Sequence, residues 1–168
     1  MKSSAKVPTI PFFVYGTLRR GQPNYHLWQG TIVAVRPALL PDASLYDFGH
    51  YPMLAEKPGG VVHGELVWVN ETHYTTVLRR LDYLEGFDPQ DPDAATYRRQ
   101  ERLVRLPEKV GLKAWVYTVK PAVVQGLPEI AGGDWQTHTE KQREQLSAWW
   151  SAVNSVGDEA DGGRSGET

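Results

Sequence analysis

The chain is expected to adopt an α+β fold with a largely antiparallel sheet or barrel. Three observations lead there: strand-like segments outnumber helical ones, most connections are too short for parallel crossovers, and a single strongly periodic helix follows the most β-rich segment. With 168 residues, 40% of them hydrophobic and 23% charged, the chain suits one packed domain, expected over residues 1–153. The small polar segment 154–168 holds Asp158, Glu159, Asp161 and Glu167 against Arg164 and is expected to be a disordered acidic tail.

The elements follow in order. Thr9 to Tyr15 is apolar and partly β-branched and is followed at once by Gly16, which predicts a buried strand ending in a turn. Gly16 to Asn24 carries two glycines and a proline and reads as a loop leading into a short helix from Tyr25 to Trp28. Ile32 to Leu40 and Ser44 to Phe48 read as strands separated by Pro41-Asp42, with turns at Gly49-His50 and Pro58-Gly59-Gly60. Val61 to Val69 has the character of a central strand, placing Val62, Leu66 and Trp68 on one face. Asn70 then offers a cap to a helix in which Tyr74, Val77, Leu78, Leu81 and Leu84 form the inward stripe, and Gly86 stands at the left-handed stop. Asp88 to Ala95 is an acidic, proline-bearing loop. Tyr97 to Leu106 and Lys113 to Val119 read as strands, and Leu146, Trp149, Trp150 and Val153 mark one face of a final helix.

Charge and composition narrow the chemistry. The formal net charge is −2 and the tail accounts for −3, so the body is close to neutral at about +1 and lacks the basic field that nucleic-acid binding requires. Small molecules are the expected partners, with neither nucleic acid nor membrane among them. The absence of cysteine excludes disulfides and thiolate chemistry, and the five histidines show no metal-ligand spacing, so no metal site is expected. No apolar run approaches a membrane span, and the N-terminal apolar stretch is broken by Pro8 and Pro11, so a cytoplasmic location is expected.

Glu85 is the leading candidate for chemistry. It lies four positions after Leu81 and seven after Leu78, on the inward stripe and in the last helical turn, where desolvation and the negative end of the helix dipole both oppose ionisation. A carboxyl so placed can exchange a proton near neutral pH. The turn Tyr15-Gly16-Thr17-Leu18 presents backbone N–H groups that suit anionic oxygens. It is not a phosphate loop, because Gln22 and Pro23 replace the lysine and the serine or threonine that would follow Gly21. Arg19 and Arg20 beside it can each pair with a substrate carboxylate or lie solvated. Tyr97 and Arg99 share one face of a strand and either orient a nearby carboxylate or form a surface pair. Asp82, three residues before Glu85, can make a carboxylate pair with it but reads first as a solvent-facing helix residue, and Glu65 as a further acidic candidate or a buried structural one.

Six blocks carry a resemblance: FVYGTLRRGQPN at Phe13 to Asn24, LYDFGHYP at Leu45 to Pro52, VHGELVWV at Val62 to Val69, LDYLEGFDP at Leu81 to Pro89, YRRQERLV at Tyr97 to Val104 and AWVYTV at Ala114 to Val119. In this order they are similar to the gamma-glutamylcyclotransferase-like, or AIG2-like, family. GGDW at Gly132 to Trp135 resembles that family's C-terminal extension. The resemblance implies a compact mixed β-barrel flanked by helices, with the gamma-glutamyl group held by Tyr15 to Leu18 and with Glu85 as the acid/base. The implied reaction is a cofactor-independent acyl transfer that closes a gamma-glutamyl amide to 5-oxoproline and releases an amine. From the residues themselves, Arg20, Tyr51, Tyr97, Arg99 and Tyr117 are expected as further substrate contacts, and Tyr25, Tyr51 and Tyr117 as candidate cavity walls. The leaving amine is open among an amino acid, a peptide, a polyamine, a lysine side chain and an aminoglycoside. The alternative is a module on the same scaffold that binds without turnover.

Overall fold

The computed structural model describes residues 9–19 and 21–159, with side chains placed as far as residue 153. Five strands close into a barrel: β1 (Phe12–Val14), β2 (Ile32–Asp47), β3 (Pro52–Val69), β4 (Tyr97–Arg105) and β5 (Gly111–Val119), in the order β1-β3-β2-β4-β5. Helix α1 (Tyr74–Glu85) connects β3 to β4, and α2 (Trp135–Glu159) follows β5. Most pairings are antiparallel, as the short connections require. The barrel closes through parallel contacts of β5 with β1 at Phe12↔Trp115 and with β3 at Ala55↔Val119, so the barrel is mixed.

Two expected strand breaks do not occur. Pro41-Asp42 and Pro58-Gly59-Gly60 both lie inside continuous strands, where β2 and β3 shift register between Pro41↔Val61 and Ala43↔Glu56. Asp42 adopts a positive φ of 57° and its Oδ1 accepts the Gly59 N–H at 3.0 Å, so the turn-forming residues make a bulge that bends a long hairpin instead of ending it. The first strand is shorter than expected, Phe12–Val14 in place of Thr9 to Tyr15. Its residues are buried on both sides, because Phe13 joins the cluster of Leu45, Leu54, Val62, Leu66, Val104 and Val116, while Phe12 and Val14 join Trp28, Val67, Val77 and Leu81 beneath α1.

Helix α1 sits where the periodicity puts it. Asn70 Oδ1 accepts the Thr72 N–H at 2.8 Å and caps a short 3-10 turn, Glu71–His73, that feeds the helix. Gly86 ends it at φ 69° and ψ 23°, a left-handed position that costs a residue with a Cβ about 1 kcal/mol or more. Two residues depart from expectation. Leu84, assigned to the inward stripe, is 41% exposed, and Asp82, assigned to solvent, is buried. The helix is rotated so that Asp82 faces the barrel, where Arg99 on β4 compensates its charge.

The chain divides into two compact units, residues 1–135 and 136–168, where one domain to residue 153 was expected. Within the second, the backbone is helical to Glu159, beyond the expected start of the tail; residues 160–168 lie outside the described residues. The apolar face of α2 is exposed at Leu146, Trp149, Trp150 and Val153, and the two indoles meet edge to face at 5.0 Å. No helix among the described residues is long and apolar enough to cross a membrane.

Candidate active site

A cavity of about 510 Å³ opens where β1, the loop after it, the start of β3, the end of α1 and the tyrosines of β4 and β5 converge. The cavity is lined by Tyr15, Gly16, Thr17 and Leu18 of the loop, by Tyr51 and Pro52 at the hairpin tip, and by Glu85, Tyr97 and Tyr117. Gly16 permits this convergence. A Cβ on it would lie 2.8 Å from Pro52 Cγ, so the loop can pack on the first residue of β3 only without a side chain there. Gly16→Ala is therefore expected to cost about 1–3 kcal/mol of stability, read from denaturant melts, and to raise the KM for any ligand held by the loop.

The loop is held from behind. Asn24 donates to Thr17 twice, backbone N–H to carbonyl at 2.8 Å and Nδ2 to Oγ1 at 2.9 Å, and Trp28 Nε1 donates to the Leu18 carbonyl at 3.1 Å. The backbone N–H groups of Gly16, Thr17 and Leu18 find no acceptor among the described residues, which leaves them for a ligand. Arg19 is spoken for: its Nε bonds Glu65 Oε1 at 2.9 Å and its Nη1 lies 3.3 Å from Asp134 Oδ1, with the side chain 11% exposed. Arg19 and Glu65, both open as candidates in the sequence, thus join the loop to β3 and to the GGDW segment. Arg20 lies outside the described residues.

Glu85 lines the cavity half-buried, and its carboxyl makes no hydrogen bond or ion pair among the described residues. Burial pushes its carboxyl from 4.5 up to about 7. The three phenols nearby are pushed up as well. Burial is the main cause for Tyr15, Tyr97 and Tyr117, and the charge of Glu85 adds to each, so all three remain protonated at physiological pH.

Arg99 does not line the cavity. Its Nε and Nη2 bond Asp82 Oδ1 and Oδ2 at 2.8 and 3.3 Å, and its guanidinium lies 4.4 Å from the centre of the Trp115 ring. The carboxylate it orients belongs to the protein itself. Tyr25 also lies outside the cavity, packed in the cluster beneath α1. Conversely, the sequence reading passed over Pro23, Asn24, His50, Pro52 and Leu84 as wall residues. His50 and Pro52 flank the tip of the β2–β3 hairpin, and only the register of that hairpin brings them to the cavity.

The arrangement can lodge an anionic or carbonyl oxygen on free amides and offers one proton-exchanging carboxyl, which is the equipment of acyl transfer without a protein nucleophile. The family model for gamma-glutamyl cyclotransferase, AIG2-like, matches residues 12–137. The chain belongs to this family. A Vibrio cholerae protein whose name carries a provisional gamma-glutamylcyclotransferase assignment is 41% identical over 73 residues, covering 44% of this chain and 59% of that protein. The chain therefore spans little more than half of that relative. Among solved structures, the ytfP protein of Escherichia coli is 32% identical with a TM-score of 0.52, over 75% of this chain and 96% of that one. An AIG2-like protein of mouse is 25% identical with a TM-score of 0.57, over 75% and 87%. The mixed barrel expected from the six sequence blocks is the fold that the chain shares with these gamma-glutamylcyclotransferase-like structures.

Proposed function

We propose that the chain is a cyclotransferase that converts a gamma-glutamyl amide into 5-oxoproline and a free amine. The observation that carries this reading is a carboxyl with a raised pKa in the same cavity as three loop amides, none of these groups having a hydrogen-bond partner among the described residues. In the reaction the substrate's α-nitrogen attacks its own γ-carbonyl carbon, a C–N bond forms to close the five-membered ring, and the C–N bond to the leaving amine breaks. The α-ammonium gives up two protons, and the leaving nitrogen gains two and departs as an ammonium ion.

Glu85 is the group suited to carry a proton between the two nitrogens. As carboxylate it accepts from the ammonium, whose ordinary pKa of about 7.7–8.0 keeps it protonated at neutral pH. As acid it then delivers to the leaving nitrogen, which is a poor leaving group without that proton. The loop amides of Gly16 to Leu18 stabilise negative charge on the carbonyl oxygen as the tetrahedral centre forms, an effect worth about 3–4 kcal/mol per donor in other acyl-transfer sites. Nucleophile and electrophile share one molecule, so the cavity contributes chiefly by holding the substrate in its ring-closing conformation.

The test is incubation with gamma-glutamyl amino acids, peptides, polyamines, ε-lysine and an aminoglycoside conjugate, with 5-oxoproline read by mass spectrometry. Release from none of these donors overturns the reading in favour of a binding module. The pH profile is a second check. The base form of Glu85 must be present, so kcat/KM is expected to rise with pH through a midpoint near 7, the raised value of its carboxyl. A limb centred near 4.5 instead would remove Glu85 from the role.

A further inference from the structure

Two tyrosines that line the cavity have hydroxyls that have already given away their hydrogens. Tyr15 Oη donates to the backbone carbonyl of Tyr117 at 2.6 Å, and a carbonyl cannot donate in return. Tyr117 Oη donates to Asp82 Oδ1 at 2.6 Å, and a carboxylate ion-paired with Arg99 has no hydrogen to give. A phenol has one hydrogen, so toward a ligand each oxygen offers lone pairs alone. Tyr97 differs, because its hydroxyl reaches the Pro52 carbonyl at 3.4 Å, too long to commit its hydrogen firmly.

We propose that Tyr15 and Tyr117 form an acceptor-only face that binds the primary ammonium group of the ligand, and that Asp82 is the positioning residue that fixes the polarity of Tyr117. The ligand class is a primary amine beside a carbonyl group; in the gamma-glutamyl reading, on which this rests, the amine is the attacking α-nitrogen. Neutral oxygen acceptors suit that nitrogen better than a second carboxylate would. They bind the ammonium through its N–H groups, yet do not hold its proton once Glu85 takes it. The Arg99 guanidinium is engaged by Asp82 and stacked on Trp115, so its charge is neutralised behind the wall and does not repel the incoming cation.

The inference is tested by calorimetric binding to the Glu85→Gln protein, which retains the phenols without the catalytic carboxylate. The probes are γ-L-glutamyl-butylamide and its deamino counterpart N-butylglutaramate. The amine-bearing probe is expected to bind about tenfold tighter or better, the size of one charge-assisted hydrogen bond. Adding Tyr117→Phe is expected to cut that advantage below about threefold while leaving the deamino probe within about twofold, since toward the ligand only an acceptor is lost and Asp82, deprived of the Tyr117 hydroxyl, still holds Arg99. An advantage untouched by Tyr117→Phe, or an equal loss for both probes, overturns the proposal.

For Asp82 the comparison is between two paired substitutions. Asp82→Leu with Arg99→Met frees the Tyr117 hydrogen and is expected to abolish the amine advantage. Asp82→Asn with Arg99→Met keeps an oxygen acceptor for that hydrogen and is expected to restore it; failure to restore it assigns Asp82 a packing role and overturns this part. Release of 5-oxoproline by the wild type is read in parallel. An intact amine advantage without release from any donor removes the cyclotransferase reading but supports the acceptor face, whereas release without an amine advantage overturns the face.

Discussion

Replacing Glu85 by Gln is expected to lower the rate of 5-oxoproline release by about 10²–10⁴-fold, the usual contribution of a positioned general acid/base. Gln is close to Glu in shape and still polar, so it preserves the end of α1 and the cavity while removing the exchangeable proton. The same substitution is expected to stabilise the fold in alkaline solution. The Glu85 carboxyl rises from 4.5 in the free chain to about 7 in the folded one, so burial of the neutral acid costs little and burial of the anion costs more. Below about pH 4.5 both states are protonated and Glu85 imposes no penalty. As pH climbs, the unfolded chain ionises first, and stability falls until the folded pKa is passed. Above pH 7 the penalty is complete, at most on the order of 3 kcal/mol from 1.36 kcal/mol per unit and less where water reaches the group. The Gln variant should therefore match the wild type in chemical melts at pH 4 and exceed it at pH 8. Equal rates of product release in the two proteins would remove Glu85 from the chemistry, and equal stability at both pH values would show that its carboxyl is not held out of water.

Asp82→Leu is expected to cost about 3–5 kcal/mol, the penalty for leaving a buried charge without its partner. The Asp82 and Arg99 side chains are 8% and 10% exposed, so the guanidinium left behind has little water to turn to. Tyr117 loses its acceptor in the same step. A companion Arg99→Met should recover most of the loss, because the charge and its counter-charge then disappear together while the methionine keeps contact with Trp115. Urea melts of the two single variants and the double decide the matter. A double variant as unstable as the sum of the singles would mean that the pair does not act as a unit.

Glu85 and Asp82 mark the boundary of what the residue pattern could reveal. Helical phase alone put Glu85 on the barrel side of α1, and the stop at Gly86 put it at the end of the helix. The same phase favoured solvent for Asp82, since it borders the apolar stripe and its burial depends on a guanidinium seventeen positions further on, in another element. The loop Tyr15 to Leu18 was legible from a strand running into glycine, a local signal. Its companions His50 and Pro52 were not, because they reach the cavity through hairpin register. The misread turns at Pro41-Asp42 and Pro58-Gly59-Gly60 have one cause. Turn chemistry was present, but the two segments lie opposite each other, and the Asp42 side chain binds the Gly59 amide across the hairpin. Arg99 shows the reverse: a nearby carboxylate was among its readings, and the structure supplies that carboxylate from Asp82.

β1 is three residues long, lies near the start of the chain, and is wedged between strands that come much later. During synthesis its phenylalanines emerge well before the segments that will cover them, and the bond from Tyr15 to Tyr117 must wait for 102 further residues. The ligand pocket cannot form while only its glycine loop has been made, because the wall that loop joins, at Tyr117, is translated 102 residues after Tyr15. A nascent chain halted before Tyr117 would thus carry every residue of the glycine loop and the helix carboxyl, and still have nowhere for a substrate to sit.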